Sequence, residues 1–195
     1  MGEIKKEYIV KLICGILFNP NWCGEKFNTS DISTTISIIN SILEKELKNF
    51  GIKKIDLISD VFDFNFSNYY CEEMGEKILR YWVSFNPNLK AKNLYSIKIF
   101  TNDLEKKYFS DSSGNRKVNL DPGFIEGSKL VLFSTKNYSH RIYLEDGIFA
   151  EVTLVYKNKQ FQTLEWTYPD YKTPSAIDFF TKVRNIYYKD HTEFI

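Results

Sequence analysis

Between Arg116 and Trp166 the chain is written in short segments that a sheet accommodates and a helix does not. Arg116–Asp121, Leu130–Thr135, Arg141–Leu144, Ile148–Tyr156 and Gln160–Trp166 are rich in β-branched and aromatic residues. Nothing between them is long enough for a helix of about ten residues. Glu145-Asp146-Gly147 and Lys157-Asn158-Lys159 carry hairpin turn chemistry, so neighbouring strands run antiparallel. Helical patterns lie on either side of this run. The expected class is α+β, a mostly antiparallel sheet flanked by about three helices.

The first half supplies the remaining elements. Tyr8–Phe18 reads as a largely buried opening strand. Thr29, Ser30 and Asp31 offer N-caps to a helix whose stripe is Ile32, Ile36, Ile39, Leu43 and Leu47, closed by Gly51. Ile55–Phe66 reads as a strand. Leu79, Tyr81, Val83 and Phe85 alternate with Arg80, Trp82 and Ser84 as another. Over 87–108 the spacing of Leu94, Ile97, Thr101, Leu104 and Tyr108, with Pro87 in the first turn, favours a helix over a strand at Tyr95–Phe100. The last helix runs from about Pro174 to Tyr188. No linker, repeat or low-complexity segment divides the chain, so residues 1–195 are expected to form one domain.

A chain of 195 residues can bury roughly 70% of its unfolded surface. The 26 Lys and Arg against 25 Asp and Glu argue against a dedicated nucleic-acid binder and leave room for a local basic patch. Cys14, Cys23 and Cys71 fit neither a disulfide framework nor a Cys-x-x-Cys site, so reduced, mostly buried thiols are expected. Lys5 and Lys6 precede an apolar run, Ile9–Phe18, but Lys11 interrupts it and no small-residue cleavage site follows. The run is also far short of the ~20 residues of a membrane span. The expectation is a cytoplasmic protein with no membrane partner.

The β-rich half also carries polar and aromatic groups on segments that otherwise look like core strands. Asn119-Leu120-Asp121-Pro122-Gly123 reads as a turn, with Arg116 and Asn119 adding a cation and an amide beside Asp121. Lys136, His140 and Arg141 place two fixed cations and an imidazole close together, a combination suited to phosphate or carboxylate. Equally, Arg141 can pair Glu151 or Asp121, and His140 can be a core histidine. Glu151 and Thr153 share one strand face, so Glu151 is either solvated or must be paired. Trp166-Thr167-Tyr168-Pro169-Asp170-Tyr171 is either a stacking wall for a ring-bearing ligand or a packed corner. Weaker candidates are Glu73, Arg80 and the trio Lys98, Asn102 and Glu105, whose helical spacing also fits a solvated face.

Several chemistries lack their motifs. There is no Gly-rich phosphate loop, dinucleotide fingerprint or G-x-S-x-G elbow, and two histidines with scattered cysteines make a poor zinc set. A divalent cation such as Mg²⁺ remains compatible, since it needs one or two carboxylates and a ligand phosphate.

The words KLICGILF (Lys11–Phe18), YYCEEMG (Tyr69–Gly75), Thr101-Asn102 with Glu105, VNLDPGF (Val118–Phe124), STK with HRIYL, GIFAEVTL and WTYPDY together resemble the bacterial domain-of-unknown-function family 4416. The resemblance covers most of the chain. It implies a cytoplasmic bacterial protein and brings no activity, cofactor or catalytic residue. Some members carry a GTP-binding label, whose phosphate loop and base-reading motifs this sequence lacks.

These observations lead to an expected site for an anionic, phosphorylated small molecule or nucleotide on the β-rich half, with enzyme or binding protein left open. Arg116, Asn119, Lys136 and Arg141 would hold the anion. His140, Glu151 and Asp121 would move protons or bind a metal, and Trp166, Tyr168, Asp170 and Tyr171 would line the pocket. The alternatives are a single-stranded RNA or nucleotide-binding module and a non-catalytic interaction protein with a buried ion-pair cluster. The oligomeric state is left open.

Overall fold

A computed structural model describes residues 7–22 and 31–191, with strands β1 (Ile9–Phe18), β2 (Lys54–Ile58), β3 (Phe62–Asp63), β4 (Leu79–Asn86), β5 (Leu89–Lys90), β6 (Val118–Ile125), β7 (Lys129–Ser134), β8 (Ile142–Glu145), β9 (Ile148–Lys157) and β10 (Gln160–Thr163). The helices are α1 (Ile32–Glu46), the single turn α2 (Cys71–Met74), α3 (Ser96–Tyr108) and α4 (Pro174–His191). Cys23, Lys5, Lys6, Thr29 and Ser30 lie outside the described residues. The strands form one antiparallel sheet in the order β10-β9-β7-β6-β1-β4-β2, with β3 on β4, β5 on β1 and β8 on β9. The α+β class is the observed one.

Alternation along the central strands sets the layers. Leu12, Cys14, Ile16 and Phe18 of β1, with Tyr81, Val83 and Phe85 of β4, face Ile39 and Leu43 of α1 and Ile97 and Leu104 of α3. On the other face Ile13 and Trp82 pack with Leu132, Leu154 and Phe180 of α4. Both faces of β4 are therefore covered, and Arg80, Trp82 and Ser84 are buried. Lys11 is fully buried between Asp56 of β2 and Asp190 of α4, at 2.5 and 3.0 Å. An unpaired ammonium there would cost several kcal/mol, so both carboxylates are structural.

Local rules account for α1: Asp31 accepts the Thr34 N–H at 2.9 Å, and Gly51 takes the left-handed φ of 85° after a closing 3-10 turn. Asp146 and Gly147, and Asn158 and Lys159, have the positive φ of tight hairpins.

Four expectations change. The strand expected over Ile55–Phe66 is split into β2 and β3, because Ser59 Oγ takes the Trp82 N–H at 2.8 Å and stands in for a ladder carbonyl. Pro87 lies in the turn to β5, which pairs with Ile9 and Val10, so the helix begins only at Ser96. β10 ends at Thr163, where the Thr167 hydroxyl captures the Leu164 N–H at 2.8 Å. Asp121-Pro122-Gly123 is no turn; it is the interior of β6. Among the described residues no helix is long and apolar enough to cross a membrane.

Candidate active site

β6 pairs with β1 along its whole length, but its pairing with β7 starts only at Gly123. Beyond that point β7 continues with β9 alone, and the sheet opens between β6 and β7. The backbone of Leu120, left without a strand on this edge, is satisfied by side chains of α3. Glu105 Oε1 accepts the Leu120 N–H, and Lys98 Nζ donates to the Leu120 carbonyl, both at 2.7 Å. Backbone polar groups alternate sides along a strand, so the nitrogen of Pro122 faces the same gap. Proline has no N–H to leave unpaired there. Gly123 permits the close approach that ends the gap: a Cβ on it would lie 2.3 Å from the Val131 carbonyl oxygen.

A cleft of about 680 Å³ occupies this opening. It draws Lys98 and Glu105 from the α3 side of the sheet and Asp170 and Tyr171 from the α4 side. The sequence-expected residues Arg116, Asn119, Asp121, Lys136, His140, Arg141, Glu151, Trp166, Tyr168, Asp170 and Tyr171 all line it. Their roles differ.

On the floor, Asp121 receives the Asn119 amide at 2.8 Å and is faced by Lys98 at 3.6 Å and Arg80 at 3.7 Å. Arg80 is held by Asp170, with Nε and Nη2 each 2.8 Å from Oδ2. Asp170 and Tyr171 are buried, and the Tyr171 ring stacks on Phe180. Gly15 makes room for this corner, since a Cβ there would lie 2.7 Å from the Tyr171 hydroxyl and 2.8 Å from Arg80 Nη1. Arg116 forks onto Glu73 at 2.7 and 2.8 Å and reaches Glu105 at 2.8 Å. Burial pushes the Glu105 carboxyl up, against the pull of Lys98 and Arg116.

The wall is a second network. Glu151 is buried, and its Oε2 accepts from Arg141 Nε at 2.7 Å and meets His140 Nε2 at 3.2 Å. A carboxylate only accepts, so Nε2 carries the proton in this contact and a neutral imidazole keeps its lone pair on Nδ1. The imidazole is sandwiched between Tyr138 and Trp166, with centroids at 6.0 and 5.1 Å. Arg141 spends its other nitrogens on the Ser134 hydroxyl, the Lys136 carbonyl and the Tyr168 hydroxyl, at 2.7, 2.8 and 2.7 Å. The Tyr168 oxygen accepts from Arg141, leaving its own proton to donate; burial and the Glu151 charge push its pKa up to about 12.

At the rim, Lys136 donates to the Tyr69 hydroxyl at 3.0 Å and lies 4.2 Å from the ring centre. That ammonium, with Arg116 nearby, holds the Tyr69 phenol below its ordinary value. Six fixed cations and four carboxylates line the cleft. Among the described residues Lys136 is the one of those cations with no carboxylate partner. Also among the described residues, no group of three His, Cys, Asp or Glu could hold a metal ion. Arg80 and Lys98 beside Asp121 oppose a cation at the most exposed carboxylate of the cleft.

The family model for a domain of unknown function, DUF4416, matches residues 26–187. The chain belongs to that family. No curated protein and no solved structure matches the chain. In this DUF4416 chain the trio Lys98, Asn102 and Glu105, whose spacing equally fits a solvated helical face, turns into the cleft. Tyr69, Ser134 and Tyr138 line the cleft without having been named as site candidates from the sequence. Tyr69 meets Lys136 across 67 residues of chain, a distance over which no local pattern carries a signal.

Proposed function

We propose that the cleft binds an anionic, phosphorylated small molecule, and that His140 moves a proton on it. The observation that carries this reading is Lys136. The other fixed cations of the cleft each have a carboxylate partner, whereas among the described residues Lys136 stands at the rim with a hydroxyl and a ring beside it and no carboxylate. A charge in that position attracts a ligand anion at little desolvation cost.

The wall supports a chemical role. A histidine whose one nitrogen is fixed by a buried carboxylate, and whose ring is clamped between two aromatics, is oriented as a general acid or base. Arg141 is the positioning residue: it fixes Glu151 behind His140 and, on its other side, the Tyr168 hydroxyl. A purely structural ion-pair cluster has no need of an adjoining cleft within the usual range of ligand pockets, about 300–1,000 Å³.

The test is a thermal-shift screen with inorganic phosphate, pyrophosphate, nucleotides and phosphorylated metabolites, with and without Mg²⁺. A ligand at 100 times its Kd adds about 2.7 kcal/mol, a visible rise in Tm. The expected result is a rise with phosphorylated compounds that Lys136→Ala removes. Salt-sensitive binding of a single-stranded RNA oligonucleotide, with no response to any small molecule, would overturn it in favour of an RNA module.

A further inference from the structure

The two ends of the cleft differ in what they can recognise. We infer that it takes a phosphorylated, hydroxyl-bearing ring, a sugar phosphate either free or as the ribose phosphate of a nucleotide, with the phosphate on Lys136 and the ring hydroxyls on Asp121. This rests on the anion reading above and extends it from the charge of the ligand to its class and orientation.

Asp121 carries the argument. The side chains of Glu105, Glu151 and Asp170 are each at most 3% exposed and are engaged by Arg116, Arg141 and Arg80, whereas the Asp121 side chain is 27% exposed. A carboxylate has about four lone-pair sites. Asp121 uses one, for the Asn119 amide at 2.8 Å. Lys98 and Arg80 stand at 3.6 and 3.7 Å, beyond hydrogen-bonding distance, so they supply charge without occupying those sites. The ligand group that meets Asp121 must therefore be a donor.

The same two cations decide which donor. An ammonium or guanidinium brought to Asp121 would meet Lys98 and Arg80 at close range and be repelled. A neutral hydroxyl meets no such cost, and its bond to an ionised acceptor is roughly twice as strong as one between neutral groups. Tyr70 and Tyr168 line the same cleft, and their rings are apolar surface against which the apolar face of a sugar can pack. The Tyr168 hydroxyl, already accepting from Arg141, adds a donor for a ligand oxygen. At the other end Lys136 and Tyr69 supply the phosphate contacts. One ligand that satisfies both ends carries a phosphate and neutral hydroxyls on a single small framework.

The test is isothermal titration calorimetry with ribose 5-phosphate, adenosine 5′-monophosphate, its 2′,3′-dideoxy analogue, ribose, adenosine and inorganic phosphate. In the wild type, removing the phosphate and removing the hydroxyls should each weaken binding by about tenfold or more. Lys136→Ala should abolish the first difference, and Asp121→Asn the second. Adenosine monophosphate binding far more tightly than ribose 5-phosphate identifies a nucleotide; similar affinities identify a free sugar phosphate. The hydroxyl comparison is made on the unaltered protein, so it stands even if Asp121→Asn fails to fold. If the phosphate matters and the hydroxyls change affinity less than about twofold, this inference is overturned and the anion reading survives. If inorganic phosphate and every phosphorylated probe fail to bind, both fall.

Discussion

Glu105 accepts the backbone N–H of Leu120 at 2.7 Å, a bond that a carbonyl of β7 would otherwise make. With Lys98 on the Leu120 carbonyl, α3 substitutes two side chains for a missing strand and lets the sheet open without unpaired backbone groups. The cost falls on a buried carboxylate. Glu105→Ala strands the Leu120 N–H and removes an anion from Lys98 and Arg116, and the expected loss is about 3–5 kcal/mol. Glu105→Gln keeps an acceptor and should lose less. Urea melts of both variants decide; a loss below about 1 kcal/mol in Glu105→Ala would mean the edge is held by something else.

Arg141 and Glu151 form another buried pair, both nearly inaccessible. Arg141→Ala leaves Glu151 buried and charged, so a loss of about 3–5 kcal/mol is expected by denaturant titration. Glu151→Gln leaves Arg141 with Ser134, the Lys136 carbonyl and Tyr168, and should be milder. Lost ligand binding in Arg141→Ala would thus reflect weakened folding before it reflected a lost contact. A near-neutral Arg141→Ala would remove Arg141 as the residue that positions His140.

Lys136 gives the cleaner test, because its partner is an exposed phenol. Lys136→Ala should change stability by less than about 0.5 kcal/mol. It should also raise the pKa of Tyr69, since the donated hydrogen bond and charge that favour the phenolate are gone. Ultraviolet titration, with Tyr69→Phe identifying the transition, reads this directly. An unmoved Tyr69 transition would show that Lys136 does not rest on it in solution.

How much of this was legible depended on the range of each interaction. α1 was readable from Asp31, its apolar stripe and Gly51, and the hairpins from Asp146-Gly147 and Asn158-Lys159, because those signals lie within a few residues. Asp121-Pro122-Gly123 misled for the same reason. Its local chemistry is that of a turn, and only the arrangement of β1, β6 and β7 makes it a strand whose proline faces a gap. Arg141 with Glu151 was visible as one of two pairings, being on adjacent strand segments. Arg80 with Asp170 spans 90 residues and has no local trace. Alternation along β4 put Arg80 on a second face, but that this face is covered by α4 is a tertiary fact.

Acid should weaken the fold partly through Glu73. The hydrogen bonds from Arg116 hold its carboxyl below the ordinary range, with part of that effect offset by burial. A carboxyl with a lower pKa folded than unfolded contributes stability that is present above its unfolded pKa, about 4.3. That contribution is lost as pH falls through the folded value. Wild type should therefore lose more stability than Glu73→Gln on going from about pH 5 to about pH 3. Parallel melting curves for the two proteins across that range would refute the contribution.

Gly123 is where the opening of the sheet is decided. A Cβ at this position would lie 2.3 Å from the Val131 carbonyl oxygen and 2.7 Å from Leu132 Cδ2. The first of these is backbone in a paired strand and cannot rotate away, so Gly123→Ala must push β6 and β7 apart at the first rung of their ladder. The expected cost is about 1–3 kcal/mol, the range for forcing extra volume into a packed interior. The displacement also has a direction. Separating Gly123 from Leu132 lengthens the gap that already runs from Leu120 to Pro122, and so shifts Asp121 relative to the wall of Arg141 and His140. Hydrogen exchange should accordingly speed up at Phe124, whose N–H faces β7 on the rung next to the displaced one. Ligand affinity should fall together with stability. Gly114→Ala, with no atom within 4 Å of the added Cβ but a φ of 85°, is the control for backbone strain alone. It should destabilise without touching ligand affinity. If Gly123→Ala melts like wild type, the close approach of β6 to β7 does not set the width of the cleft.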